Sequence, residues 1–153
     1  MTWWVVVNPG AGSREAWDER VRRSLHAQGV DAEVRASESP EHLHRLVAEG
    51  VAAGAREFVA VGGDGTVSMM ADAVLRHPWA EPPTLGILPA GSGCDFVRTF
   101  GIPQDMEEAA RHLSGGDTRL IDVGVAEGAW GARRFLNVLD VGVLAATVRT
   151  AER

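Results

Sequence analysis

The chain has 153 residues, 45% of them hydrophobic and 24% charged, a length that suits one domain with a real core and a composition that excludes wholesale disorder. Its formal net charge of −6 argues against a nucleic-acid binder that works through a broad basic face. The single cysteine excludes an internal disulfide framework and any all-cysteine metal site, and it fits a reducing cytoplasm.

The start, Met1 to Val7, is apolar but short and lacks a basic flank, so it reads as a buried strand and not as a signal or membrane segment. Trp3 to Val7 is continuously apolar, which predicts a strand covered on both faces, as in parallel sheets. A helix is expected from about Arg14 to Gln28, with Trp17, Val21 and Leu25 recurring every four residues and Gly29 as its stop. Ala32 to Arg35 reads as a second strand. Ser39 and Pro40 read as the N-cap and first position of a helix with Leu43, Leu46, Val47 and Val51 inward, ending near Gly54.

Glu57 to Val61 is the expected third strand, followed by a helix from about Thr66 to Arg76. Thr84 to Leu88 is the fourth, followed by a short helical piece and a helix capped by Asp105 with Met106, Ala109, Ala110 and Leu113 inward. This β-α-β-α-β-α-β-α order predicts an open parallel α/β sheet with helices on both faces. Later the pattern changes. Arg119 to Ala126 and Arg133 to Val143 read as antiparallel strands joined by a glycine-containing connection. The expected organisation is an α/β domain over 1–117, then a hairpin over 118–153 that begins a β-rich domain.

Three loops that follow strands and lead into helices have unusual composition: Asn8 to Ser13, Gly62 to Thr66 and Gly91 to Asp95. In a parallel sheet all three lie at the C-terminal edge, where ligands bind. Their glycines let backbone amides approach a ligand closely, and a helix N-terminus adds partial positive charge. Every basic residue is an arginine, so a Walker-type loop, Schiff-base chemistry and the usual protein-kinase ATP site are excluded for want of a lysine. The loops thus describe a phosphate or nucleotide site built from backbone. Asp64 would repel a bare pyrophosphate; it suits a place beside a metal ion or an attacking hydroxyl. His42 and His44, two apart on a helix, do not converge on one metal. Cys94 lies near a helix start, where a thiolate is favoured, but no orienting histidine stands beside it in the sequence.

The chain resembles the catalytic domain of the diacylglycerol kinase family, which includes sphingosine, ceramide and bacterial lipid kinases. The resemblance rests on Asn8-Pro9-x-x-Gly12, on Gly62-Gly63-Asp64-Gly65-Thr66, and on Leu88-Pro89-x-Gly91-Ser92-x-x-Asp95-Phe96-x-Arg98. Ile121-Asp122-x-Gly124 and Phe135-Leu136-Asn137-Val138 add to it. It implies the Rossmann-like sheet shared by NAD kinases and diacylglycerol kinases, with ATP and magnesium as cofactors and a lipid hydroxyl as acceptor. It also implies transient contact with a membrane surface in the complete enzyme, a cytoplasmic location peripheral to the membrane, and no nucleic-acid partner.

By the same resemblance, ATP is held by Asn8, Pro9, Gly10, Ala11 and Gly12, by Gly62, Gly63, Asp64, Gly65, Thr66, Val67 and Ser68, and by Ser92. Ser37 is the nearest hydroxyl after the second strand. Asp64 is the residue expected at the phosphoryl-transfer centre, acting on chemistry more than on folding, and no metal ligand is assigned. The sequence departs from the family at Ser68 and Cys94, where asparagine is usual, and at Gly142 to Ala145. Family members have about twice this length, so the isolated chain is expected to bind nucleotide without phosphorylating lipid. Open hairpin edges are expected to favour self-association, in its simplest form a homodimer. Two alternatives stay open: an NAD kinase-like phosphotransferase, and a nucleotide-binding fragment without turnover.

Overall fold

The computed structural model describes residues 2–8, 14–90, 94–129 and 131–136, and of residues 14–16 only the backbone. Four strands, β1 (Trp3–Val7), β2 (Ala32–Ala36), β3 (Glu57–Gly62) and β4 (Thr84–Pro89), pair in parallel in the order β2-β1-β3-β4. Five helices accompany them: α1 (Arg14–Ala27), α2 (Pro40–Ala52), α3 (Asp64–Leu75), α4 (Asp95–Thr99) and α5 (Met106–Gly115).

The continuous hydrophobicity of β1 and β3 has its cause in two cores, one on each face of the sheet. Alternate residues separate by the strand's period of two. Trp4, Val6, Phe58, Ala60 and Ile87 pack with Leu43 and Val47 of α2 and Met70 of α3. Trp3, Val5, Val7, Val59, Val61 and Leu88 pack with Val21 and Leu25 of α1 and Met106 and Ala110 of α5. The first connection leaves β1 over one face to reach β2. The second returns over the opposite face to β3. The chain therefore reverses direction between β1 and β3, and the C-terminal ends of these two strands form the topological switch point where such sheets bind ligands.

Local chemistry sets the helix ends. The Ser39 side chain accepts the His42 N–H, with Pro40 at the first position of α2. The Asp105 carboxylate accepts the Glu107 and Glu108 N–H groups at 3.0 Å each, and Gly116 ends α5 in the left-handed region at φ 74. Gly50 of α2 lets the helix rest on the Trp4 indole: a Cβ there would lie 2.8 Å from the ring. The open edge of β2 is covered by Arg22 of α1, which donates to the Val34 carbonyl at 2.9 Å and pairs with Asp18.

β5 (Gly124–Gly128) and β6 (Gly131–Phe135) form a separate antiparallel hairpin, with the Phe135 ring packed where a side chain on Gly124 would stand. The hairpin is shifted from the expected ranges: its ladder takes in Glu127, Gly128 and Gly131, which the sequence placed in the connection, and β5 begins only at Gly124. Arg119 to Val123 lies outside β5, with Leu120 84% exposed, and the expected continuation from Asn137 to Val143 falls outside the described residues. β-propensity becomes a strand only where a partner pairs with it, and the described ladder stops at Gly124 opposite Phe135. Leu136, just after β6, is buried in the α2–α3 core. No described helix is long and apolar enough to cross a membrane.

Candidate functional site

The site is assembled where β1 and β3 end. Asn8 follows β1; its N–H donates to the Val61 carbonyl at 3.0 Å, and its side-chain amide donates to Thr66 Oγ1, also at 3.0 Å. Thr66 is buried in the first turn of α3. The first loop is thus tied to the second by a hydrogen bond spanning fifty-eight residues of sequence. Gly62 makes this contact possible. A Cβ there would lie 2.6 Å from the Thr66 Cβ, too close for any real side chain.

Gly63 is the N-cap of α3, with φ −93 and ψ −172. That is extended backbone open to any residue, so the turn itself does not demand glycine. The first amides of α3, at Asp64, Gly65 and Thr66, have no acceptor within their own helix, and Gly63 supplies no capping side chain. Gly65 is exposed above them and Val67 is buried beneath. Amides at a helix N-terminus favour an anion.

Asp64 reaches across to the third loop. Its Oδ2 accepts the Asp95 N–H at 2.9 Å, its Oδ1 accepts the Phe96 N–H at 2.9 Å, and the Cys94 thiol donates to Oδ1 at 3.6 Å. The carboxylate therefore caps α4 from another loop. This gives Asp64 a folding role that its position in a glycine turn did not suggest. Cys94 is buried. Burial pushes its thiol up, the Val97 backbone pulls it down, and the Asp64 carboxylate adds to the rise. The thiol is held protonated, the wrong state for a nucleophile.

Ser37, after β2, is buried, and both its N–H and its hydroxyl donate to the Val7 carbonyl, at 2.8 and 3.1 Å. It fastens the second strand to the end of the first. Ser68 lies one turn into α3, and its hydroxyl approaches the Leu136 carbonyl at 3.5 Å, on the hairpin side. Asn8, Ser37, Gly62, Gly63, Asp64, Gly65, Thr66, Val67 and Ser68 are thus all described. Pro9, Gly10, Ala11, Gly12 and Ser92 lie outside the described residues.

Sequence reasoning missed Asp72, a buried acid in the middle of α3. It accepts from Arg76 Nε at 2.9 Å and from the Arg134 backbone N–H at 2.9 Å. Burial pushes its carboxyl up, but the Arg134 N–H and then Arg76 outweigh it and hold the pKa below the usual carboxylate value. The only sequence signal was a second acid inside a helix built otherwise of small and apolar residues. Nearby His44 is held below the ordinary histidine value, first by burial and then by Arg76. A cleft lined by Arg22, His26 and Asp31 lies beside the start of β2, at the opposite edge of the sheet from these loops.

Among the described residues no three histidine, cysteine or acidic side chains gather as a metal cage. A magnesium ion carried by nucleotide phosphates needs fewer protein ligands, because it keeps waters and phosphate oxygens. Asp64 fits that need: it is a hard oxygen donor at the first turn of α3. The neighbouring Asp95 carboxylate pairs with Arg98 at 2.9 Å.

Residues 2–126 match the diacylglycerol kinase catalytic domain. Among similar curated proteins is a probable lipid kinase YegS-like of Pseudomonas aeruginosa, 36% identical over 132 residues, covering 84% of this chain and 41% of that protein. Another, a probable lipid kinase YegS-like of an Enterobacter species, is 30% identical over 119 residues, covering 78% of this chain and 40% of its own length. Among solved structures, a diacylglycerol kinase from Bacillus anthracis superposes with a TM-score of 0.71 at 27% identity, covering 98% of this chain and 52% of that one. The chain spans about 40% of the length of these curated relatives. The residues described at the ends of β1 and β3 and the matched residues agree: this chain belongs to the diacylglycerol kinase catalytic domain family.

Proposed function

We propose that this chain is the nucleotide-binding part of a kinase that transfers the γ-phosphoryl group of ATP to a lipid hydroxyl. The observation that carries the reading is the joining of three loops at one sheet edge, through Asn8–Thr66 and through Asp64 to the Asp95 and Phe96 amides. In this reading the first turn of α3 receives the phosphate oxygens at its N-terminus, and Gly62 leaves room for the Thr66 side chain beside them. Thr66 keeps its own hydroxyl proton, because Asn8 supplies the donor in their mutual bond. Asp64 stands where charge develops during transfer and orients the acceptor hydroxyl or the metal. Bound magnesium supplies charge neutralisation on the phosphates, and Asp64 is the side chain that would hold it. Pro9 to Gly12 and Ser92 are proposed to complete the nucleotide contacts, with Ser37 and Ser68 in supporting places.

The division into an α/β part over 1–117 and the start of a β-rich part over 118–153 belongs to the same proposal. So does a lipid met at a membrane surface by the complete protein. Phosphoryl transfer depends on positioning both substrates, and these residues cover only two fifths of the relatives' length, so the isolated chain is expected to bind nucleotide without turnover. Calorimetry of the chain with a non-hydrolysable ATP analogue and magnesium tests the binding half. Transfer of labelled phosphate from ATP to diacylglycerol or sphingoid bases in mixed micelles, by the complete gene product, tests the rest. No binding heat at millimolar nucleotide, or no lipid product, refutes the corresponding half.

A further inference from the structure

Asp72 has no part in the site above, yet it is only 7% exposed. A buried carboxylate is costly unless its oxygens are satisfied. Here they are. Arg76 holds one, with Nε at 2.9 Å and the guanidinium tip at 2.7 Å from Oδ2. The other takes the Arg134 backbone N–H at 2.9 Å, with the Arg134 guanidinium 3.6 Å away. Ser68 stands four residues earlier, on the same side of α3, and approaches the Leu136 carbonyl. Arg134 and Leu136 are two residues apart, the spacing at which backbone groups face the same side of an extended chain. Asp72 and Ser68 thus match the open edge of β6 as a ladder partner would.

The hairpin needs such a partner. It forms its own two-stranded sheet and pairs with none of β1 to β4, and an isolated hairpin is marginal in water. Its seat on the α/β core comes from α3, the helix whose first turn carries the candidate phosphate amides. We propose that Asp72, seconded by Ser68, is a positioning residue: it clasps the hairpin to the nucleotide helix and so fixes how the hairpin sits relative to the phosphoryl-transfer site. The positioning half of this inference rests on the kinase reading; the clasp does not. Asp72 lies eight residues along α3 from Asp64, about 12 Å by helix rise, so replacing it leaves the nucleotide contacts in place.

Asp72→Ala removes the acceptor, whereas Asp72→Asn keeps one oxygen for the Arg134 N–H. In the 153-residue chain, amide hydrogen exchange across 131–136 is expected to speed up at least about tenfold in Asp72→Ala, with β1 and β3 unchanged, and less in Asp72→Asn, which still accepts the Arg134 N–H but turns its NH2 group towards Arg76. Unchanged hairpin exchange, or equal acceleration in β1 and β3, overturns the clasp. In the complete gene product, Asp72→Ala is expected to lower kcat roughly tenfold while the KM for ATP stays within about twofold, and Asp72→Asn to restore most of the turnover. Unchanged kcat overturns the positioning role. A parent protein that phosphorylates no lipid overturns the kinase reading instead, and the exchange experiment alone then decides the clasp.

Discussion

Asp64→Asn separates the two roles that converge on one carboxylate. In the parent, Oδ1 and Oδ2 each accept a backbone N–H of the third loop at 2.9 Å. Asparagine keeps a single oxygen. Whichever way its amide turns, an NH2 group faces either the Asp95 or the Phe96 N–H, donor against donor. A hydrogen bond to a charged group contributes about 1.5–3 kcal/mol, and a lost N-cap costs about 0.5–2 kcal/mol. Asp64 is half-buried, and solvent still screens it in part, so the lower part of both ranges applies, about 1–2 kcal/mol. For a domain of this size that lowers Tm by roughly 2–8 °C. Nucleotide binding reads out the second role. Without magnesium, removing a negative charge beside the phosphates tightens ATP binding; with magnesium, losing an oxygen ligand weakens it. Thermal denaturation and calorimetry in EDTA and in magnesium give the four numbers needed. A Tm within a degree of the parent refutes the cap, and equal affinity changes in both buffers refute the placement of Asp64 beside the phosphates.

Gly62→Ala places a methyl group against Thr66, and overpacking of this kind costs about 1–3 kcal/mol; denaturant titration is expected to show that loss, together with weakened nucleotide binding as the Asn8–Thr66 bond breaks. Gly63→Ala is expected to fold with parental stability, because its backbone angles are ordinary, and yet to lose nucleotide affinity in calorimetry. Asp72 has a folded pKa held below the ordinary carboxylate value, so its stabilisation is complete above that ordinary value and is lost as pH falls through the lower, folded one. Urea midpoints measured across acid pH are expected to fall less steeply in Asp72→Asn than in the parent. His44, held below the ordinary histidine value, is neutral in the fold at neutral pH; stability is expected to decline as pH drops below that ordinary value, and His44→Gln to remove that part of the decline.

The parallel sheet was legible because burial on both faces leaves an unmistakable pattern: Trp3 to Val7 and Phe58 to Val61 have no polar residue to place on a solvent side. The ends of α2 and α5 were legible because Ser39 and Asp105 cap within three residues of themselves. The first hairpin strand was read as starting at Arg119, ahead of its actual start at Gly124. Leu120 and Ile121 have strand-like composition, but composition carries no information about whether a partner strand stands opposite. Within the site, the glycine loops could be found one at a time. What joins them could not, because the Asn8–Thr66 and Asp64–Phe96 bonds link residues far apart in sequence. Asp72 was invisible for the same reason: a lone acid between alanines becomes meaningful only when Arg134, sixty-two residues later, arrives beside it.

Arg22, laid along the outer strand of the sheet, has a consequence for how copies of this protein meet. The Val34 carbonyl is the acceptor that a second chain would seek in extending the sheet outward, and a guanidinium already occupies it. A neighbour arriving there finds a positive charge and a side chain in place of an open backbone. Displacing Arg22 would also release its partner Asp18, leaving both to be resolvated. Growth of the sheet by edge-to-edge addition is therefore opposed on this flank by Arg22 of α1 and by Arg35, whose Nη1 donates to the same carbonyl at 3.3 Å, and only loss of both guanidinium groups would unmask a route to fibrous assembly that the parent keeps closed.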